Sequence, residues 1–285
     1  MARALAPSGV VRETAPSGRR RVSDFSERLR ASARVIASSA IEFFYPAFCP
    51  GCCQTLLDEA SLNEFGLSLA CPLCEACEQA FLPARDDMCF RCGLPVGPYV
   101  DASRGCTACR RRSFSFQRVI RLGLYRDELR AACIRSKEPG GEPLAAALAR
   151  LLWCARQEAL QDAGIDLVVP VPHHWLKRLI RPHNSAETIA RVLARSLKVP
   201  YAGHILAKVR LTPDQSSLPS PRRRRNLAKA FRVRRLSWVA GKTVLLVDDI
   251  LTTGTTANEC SRALRRARAK RVVVAVVAVV PKDAV

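Results

Sequence analysis

Aromatic residues are scarce in this chain: Phe, Trp and Tyr make up 6% of its 285 residues. A groove that grips single-stranded nucleic acid by stacking needs aromatic platforms, so a surface built mainly on stacking is disfavoured. Carboxylates are also few, with 25 Asp and Glu against 46 Lys and Arg, a formal charge of +21. That imbalance attracts polyanions: nucleic acid, phosphorylated metabolites or acidic lipid. A proteome that uses arginine freely gives the same balance, and charge speaks to association rather than to fold. No apolar run reaches the ~18 residues that span a bilayer. The longest, Val272–Val280, reads as a buried strand. The N-terminus lacks an apolar signal segment followed by a small-residue cleavage site. No repeat is visible beyond the CxxC unit. Hydrophobic residues are 48% of the chain, which is ample for a packed core and excludes global disorder.

What the chain does have is cysteine. There are 13, and ten lie between Cys49 and Cys109. Eight of these form CxxC pairs: Cys49/Cys52, Cys74/Cys77, Cys89/Cys92 and Cys106/Cys109. Two such pairs supply four thiolates to a tetrahedral Zn²⁺, and a site closed by four protein ligands is structural. The spacing is that of zinc knuckles rather than of a secreted disulfide framework, so two structural Zn²⁺ and a reducing cytoplasm are expected. Sequential pairing joins the first two pairs and the last two, and spacing does not exclude crossed pairing. Cys53 and Cys71 leave the register open, because Cys71 and Cys74 also read CxxC. Cys133, Cys154 and Cys260 fall in helical segments and read as core.

The organisation follows from composition and period. Residues 1–22 are rich in Arg, Pro, Ser and Gly and read as a disordered basic tail. Residues 23–48 carry apolar positions at three- and four-residue steps from Phe25 to Phe43, which predicts an amphipathic helix. That helix packs on a core or lies on a membrane surface. Residues 49–112 form the cysteine-rich module, in short turn-rich pieces. Residues 113–285 alternate strands (117–124, 166–171, 202–209, 242–248, 271–280) with helices (127–133, 144–160, 184–197, 255–269). Such alternation predicts an α/β domain with a mostly parallel sheet and flanking helices.

The segment Val244–Thr256, VLLVDDILTTGTT, carries the most chemistry. A buried strand delivers Asp248 and Asp249 to its C-terminal end, where ligands bind in parallel sheets. A Thr/Gly turn then opens a helix whose N-terminal N–H groups and dipole favour an anion. Gly254 lets the backbone approach a phosphate, and the threonine hydroxyls add donors. Adjacent carboxylates would repel such a ligand unless they grip hydroxyls or a Mg²⁺-bound sugar, and a ribose diol answers that need. Two segments add to this. Val168–Ala190 ends a strand in a Pro-Val-Pro turn, Pro170–Pro172, followed by a basic loop. Leu211–Phe231 is a long loop with the run Arg222–Arg225, suited to a lid over a polyanion.

Val244–Thr256 resembles the signature of type I phosphoribosyltransferases, which implies their fold and a 5-phosphoribosyl-1-pyrophosphate (PRPP) ligand with Mg²⁺. The resemblance implies that Asp248 and Asp249 hold the ribose hydroxyls, and that Thr252, Thr253, Gly254, Thr255 and Thr256 hold the 5′-phosphate. CxxC pairs ahead of such a domain resemble the ComF family, predicted phosphoribosyltransferases linked to DNA uptake in natural competence. The likeness runs from about Tyr45 to the C-terminus. It includes CxxCG from Cys89 to Gly93, a later Tyr125, Lys137 in SKEPGG, the PVP turn, and Gln215, Leu218, Arg223, Asn226, Ala230 and Phe231 of the basic loop. The family spacing selects Cys74/Cys77 as the second pair. Where the family usually reads RGFNQ, this chain reads RPHNS, keeping Arg181 and Asn184 but carrying Pro182, His183 and Ser185. The resemblance implies that Arg181 and Arg223 stabilise departing pyrophosphate, with Pro172, Lys137, Gln215 and Asn226 lining its side of the site. Partners implied are PRPP or a related phosphorylated ribose, with single-stranded DNA or DNA-uptake proteins beside it. A PRPP sensor or DNA-handling module without turnover is the alternative. A nucleobase-salvage enzyme is a third reading, and an amidotransferase is disfavoured because no Cys/His glutaminase arrangement is evident.

Overall fold

Strand-forming segments here are runs of β-branched and leucine side chains in which successive residues face opposite layers. A computed structural model of the chain describes residues 48–56, 73–83, 87–97, 99–102, 105–172, 184–210 and 230–281. The predicted basic tail and the helix over 23–48 lie outside these. Phe48–Val285 forms one compact unit.

In chain order the elements are α1 (Glu75–Phe81), β1 (Arg118–Leu124), α2 (Asp127–Arg135), α3 (Glu142–Gln161), β2 (Leu167–Pro170), α4 (Ser185–Leu197), β3 (Leu206–Lys208), β4 (Phe231–Val233), β5 (Thr243–Leu251), α5 (Thr255–Arg266) and β6 (Arg271–Val279). β1, β6, β5 and β2 form a four-stranded sheet in that order, with every neighbouring pair parallel. β3 and β4 make a separate antiparallel pair.

Both faces of the sheet are covered. On one face Leu245, Val247, Val273 and Ala275 join Leu148, Leu152, Ile189 and Leu193 of α3 and α4. On the other Val244, Leu246, Val272 and Val274 join Ala257, Cys260 and Leu264 of α5 and Phe231 of β4. This is why β5 and β6 read as continuous apolar runs rather than as alternating ones. Full burial of a side chain such as Leu245 stabilises the fold by roughly 1.5–3 kcal/mol. No helix among the described residues is long and apolar enough to cross a membrane.

Two boundaries differ from the sequence reading. The strand expected over 202–209 is divided. Tyr201 bridges to Val168 at the edge of the parallel sheet, the chain turns at 203–205, and only Leu206–Lys208 pairs with β4. β5 also runs past its carboxylates to Leu251, because Ile250 and Leu251 continue the ladder opposite Ala278 and Val279.

Candidate functional site

Adjacent strand residues point to opposite faces, and this separates the two carboxylates of β5. Asp249 faces α2 and α4. Its Oδ2 accepts from Ser185 Oγ at 2.7 Å and pairs with Lys137 Nζ at 3.1 Å. Its Oδ1 accepts the Ile250 N–H at 2.7 Å. Burial alone would raise the Asp249 carboxyl, but Lys137, the Ser185 hydroxyl and the Ile250 N–H hold it below the ordinary carboxylate value. Asp248 faces the α5 side. Burial and then the charge of Asp249 push it up to about 8, against the pull of Lys137 and of the Asp249 N–H on its Oδ1. Of the two, Asp249 is therefore the carboxylate held ionised, beside Lys137, and Asp248 is the one that gives up its proton less readily.

Each partner is delivered by its own element. Asn184 caps α4, its Oδ1 accepting from the Ala186 N–H at 3.2 Å, and this sets Ser185 at the helix start. Lys137 follows the C-terminus of α2, its N–H bonded to the Ile134 carbonyl. Pro170 lies opposite Val247, and the Val171 N–H bonds to the Val247 carbonyl, so the Pro-Val-Pro turn leaves the sheet beside β5. Beyond Leu251 the chain turns into α5 through Gly254, whose φ of 72° is the left-handed conformation that glycine adopts without strain. Gly254 brings no side chain to cap the helix, and the first-turn N–H groups of α5 have no acceptor within it. Thr253 and Thr255 hydroxyls bond to each other at 2.8 Å.

The structure thus brings Lys137, Asp248, Asp249 and the 252–256 turn to one sheet edge, with Pro172 two residues beyond the end of the neighbouring strand β2. Arg181, Gln215, Arg223 and Asn226 lie outside the described residues. The Ser185–Asp249 bond was not legible in the sequence, which showed Ser185 only as a departure from a family pattern. A second unforeseen contact joins Arg112 to Thr253, the guanidinium donating to the carbonyl oxygen at 2.6 Å.

Cysteine sulfurs converge in two clusters, Cys49/Cys52/Cys74/Cys77 and Cys89/Cys92/Cys106/Cys109, each within 4.8 Å. The pairing is sequential. The knuckles repeat at an offset of 40 residues: Phe48 bridges Thr55 as Met88 bridges Pro95, and Cys49 N–H bonds to Gln54 as Cys89 N–H bonds to Leu94. Cys53 occupies the place of Gly93, and both have positive φ, 63° and 73°. Cys53 is therefore a turn residue outside the cluster, while Cys71 lies outside the described residues. Tetrahedral Zn–S bonds of ~2.3 Å require sulfurs ~3.8 Å apart. Cys52–Cys74 at 3.6 Å, Cys89–Cys109 at 3.6 Å, Cys92–Cys106 at 3.7 Å and Cys106–Cys109 at 3.9 Å fit that ion. Burial raises every shifted thiol in the clusters. Backbone N–H groups nevertheless bring Cys49 and Cys89 down to about 7, while Cys77 and Cys92 are driven far up.

A family model described as phosphoribosyl transferase domain matches residues 179–285. The chain is 31% identical to DNA utilization protein YhgH of Salmonella typhi over 224 residues, covering 76% of this chain and 92% of that one. It is 29% identical to Competence protein F of Haemophilus influenzae over 198 residues, 68% of this chain and 84% of the other. Among solved structures it is similar to the allosteric regulatory enzyme of purine biosynthesis, at 26% identity over 49% of this chain and 27% of that one, with a TM-score of 0.34.

Proposed function

The chain belongs to the ComF family, and from that premise we propose that it binds Mg²⁺·PRPP at the C-terminal end of β5. The observation that carries this reading is the carboxylate pair set just ahead of the Gly254 turn, with Asp249 held ionised by Lys137 and Ser185. Asp248 and Asp249 accept hydrogen bonds from the ribose hydroxyls. Thr252, Thr253, Gly254, Thr255 and Thr256, with the N-terminus of α5, bind the 5′-phosphate. Lys137, Pro172, Arg181, Gln215, Arg223 and Asn226 are the residues this reading assigns to the pyrophosphate. Mg²⁺ bound with the ligand supplies countercharge to the pyrophosphate oxygens. Transfer would break the C1–oxygen bond, with the pyrophosphate leaving as an anion steadied by Arg181 and Arg223, and would join C1 to an acceptor nucleophile.

Residues 49–112 hold two structural Zn²⁺ on this reading, and residues 113–285 hold the ligand. The reducing cytoplasm is the compartment that keeps eight such cysteines available to metal. The names of the relatives, a competence protein and a DNA utilization protein, support a role in DNA uptake. A second reading, PRPP held without transfer, is favoured by Ser185, whose hydroxyl is committed to Asp249. A pyrophosphate-release screen with Mg²⁺·PRPP, nucleobases and single-stranded DNA separates the two. Release with one acceptor class establishes transfer. Binding without release leaves the second reading, and absence of binding defeats both.

A further inference from the structure

Arg112 stands three residues beyond Cys109, and its position is set by the second cysteine cluster. The Arg110 N–H bonds to the Cys106 carbonyl at 2.9 Å, and the Arg112 N–H to the Cys109 carbonyl at 2.8 Å. The segment is thus wound directly on two cluster cysteines. From there its guanidinium reaches the Thr253 carbonyl oxygen at 2.6 Å. The same guanidinium lies 5.0 Å over the ring of Phe114, which stacks on Phe116 at 4.6 Å. A side chain added to Gly254 would meet these two rings at 3.7 and 4.0 Å. The Ser115 N–H then donates to Asn258 Oδ1 at 2.7 Å, in the first turns of α5. A cation and a backbone donor, Arg112 and Ser115, therefore hold the turn from the side of the cysteine cluster, and the rings of Phe114 and Phe116 leave little room beside Gly254.

The chemistry of the clamp is specific. An arginine beside an anion site ordinarily serves the anion itself, whereas this one donates to a backbone carbonyl. In a planar trans peptide the C=O and the following N–H point in opposite directions. Fixing the Thr253 carbonyl toward Arg112 therefore aims the Gly254 N–H away from it. The cation also polarises that peptide and makes its N–H a stronger donor. Left to itself, a Thr-Gly peptide flips readily, because glycine is nearly indifferent to the sign of φ.

We propose that Arg112 is a positioning residue that couples the second cysteine cluster to the 5′-phosphate subsite. The proposal rests on the PRPP reading above. The cysteine module orders Arg112, and Arg112 orders the turn that the phosphate needs.

The test uses the full chain with its metal bound and three variants: Arg112→Ala, Arg112→Lys and Phe114→Leu. Affinities are measured by calorimetry for ribose 5-phosphate, Mg²⁺·PRPP and Mg²⁺·pyrophosphate, alongside metal content and melting temperature. Arg112→Ala is expected to weaken ribose 5-phosphate and PRPP by about tenfold, with pyrophosphate binding and metal content unchanged. Arg112→Lys, which keeps one cationic donor, recovers part of the loss, and Phe114→Leu falls between. If Arg112→Ala sheds metal or melts early, the comparison is read on Arg112→Lys. Equal loss for all three ligands in a folded variant overturns the proposal, since Arg112 would then be a general support. Unchanged affinity overturns it as well. If the unaltered protein binds neither ribose 5-phosphate nor PRPP, the underlying reading fails first and this one falls with it.

Discussion

In each cysteine cluster four sulfurs converge within 4.8 Å, and their near neighbours are one another and backbone N–H groups. In β5 two carboxylates also sit side by side, yet there the chain supplies the answer itself. Lys137 and Ser185 meet Asp249, and Asp248 gives up its proton less readily than an ordinary carboxyl. Both regions crowd groups that repel when ionised. The cysteines leave the conflict for a cation to settle, while the carboxylates settle it in advance and remain ready for a neutral diol. The cysteine clusters should therefore depend on their ligand for folding, and the carboxylate site should fold without one.

The largest expected effect sets the two regions furthest apart. Structural zinc in small modules contributes on the order of 10 kcal/mol of apparent folding free energy. Cys92→Ser should lower the metal content and unfold the second cluster, taking ligand affinity with it. Cys52→Ser should lower the metal content with less damage. The contrast follows from burial: Cys89, Cys92, Cys106 and Cys109 are all buried, whereas Cys52 is exposed and Cys74 and Cys77 are partly so. The second cluster is also tied to β1, through the Val119 N–H on the Phe90 carbonyl and Arg121 Nε on the Gly93 carbonyl. For the same reason a chelator should strip the first cluster before the second, read as two phases of metal release. Equal damage from the two substitutions, or a single phase, would break the asymmetry.

A smaller effect probes how the carboxylates are settled. Lys137→Met leaves Asp249 with only Ser185 and the Ile250 N–H. Asp249 has a lowered folded pKa, so its pairing stabilises the protein above the ordinary carboxylate value and is lost as pH falls through the folded one. The variant should lose about 1 kcal/mol at pH 7, modest because Lys137 is partly open to solvent. The deficit should shrink at pH 3, as judged by thermal melts. A deficit independent of pH would assign Lys137 to packing.

Helices, strands and their parallel arrangement were legible in the sequence because each rests on local period. β5 and β6 carry unbroken apolar runs, and α4 and α5 present apolar faces at helical spacing. The knuckles were legible too, down to pairs. What the sequence left open was decided by packing between distant segments. Cys53 is excluded from its cluster by a backbone conformation shared with Gly93, which spacing alone does not reveal. α1 was hidden inside cysteine spacing that reads as turns. Ser185 meets Asp249 across 64 residues, and Arg112 meets Thr253 across 141. No periodicity or motif links such positions, so the charge balance of the site appeared only once the fold brought them together.

The last expected effect is a gain, and its sign is what the test reads. Asp248 has a folded pKa raised to about 8 from an ordinary 3.8. Between those values the folded protein holds a proton that the unfolded chain has lost, so stability contributed here falls as pH rises through that window. Asp248→Asn removes the penalty. The unliganded variant should melt higher than the unaltered protein at pH 9 and equal it near pH 4. A variant that melts lower at both values would make Asp248 a structural support, and the contrast with the cysteines would dissolve.

The central claim is that the carboxylate pair grips the ribose of PRPP. Its most direct test is titration of Mg²⁺·PRPP into the zinc-bound full chain and into Asp249→Ala and Asp248→Asn, with melting temperatures taken on the unliganded proteins. Hydrogen bonds to a charged acceptor contribute roughly 1.5–3 kcal/mol each. Asp249→Ala, which removes the ionised acceptor, should therefore weaken binding by about ten- to a hundredfold, and Asp248→Asn, which replaces the carboxyl that ionises less readily, should weaken it by less. The proteins stay folded, and PRPP no longer raises the melting temperature of Asp249→Ala appreciably. Unaltered PRPP affinity in folded variants, or no binding by the unaltered protein, would contradict the account.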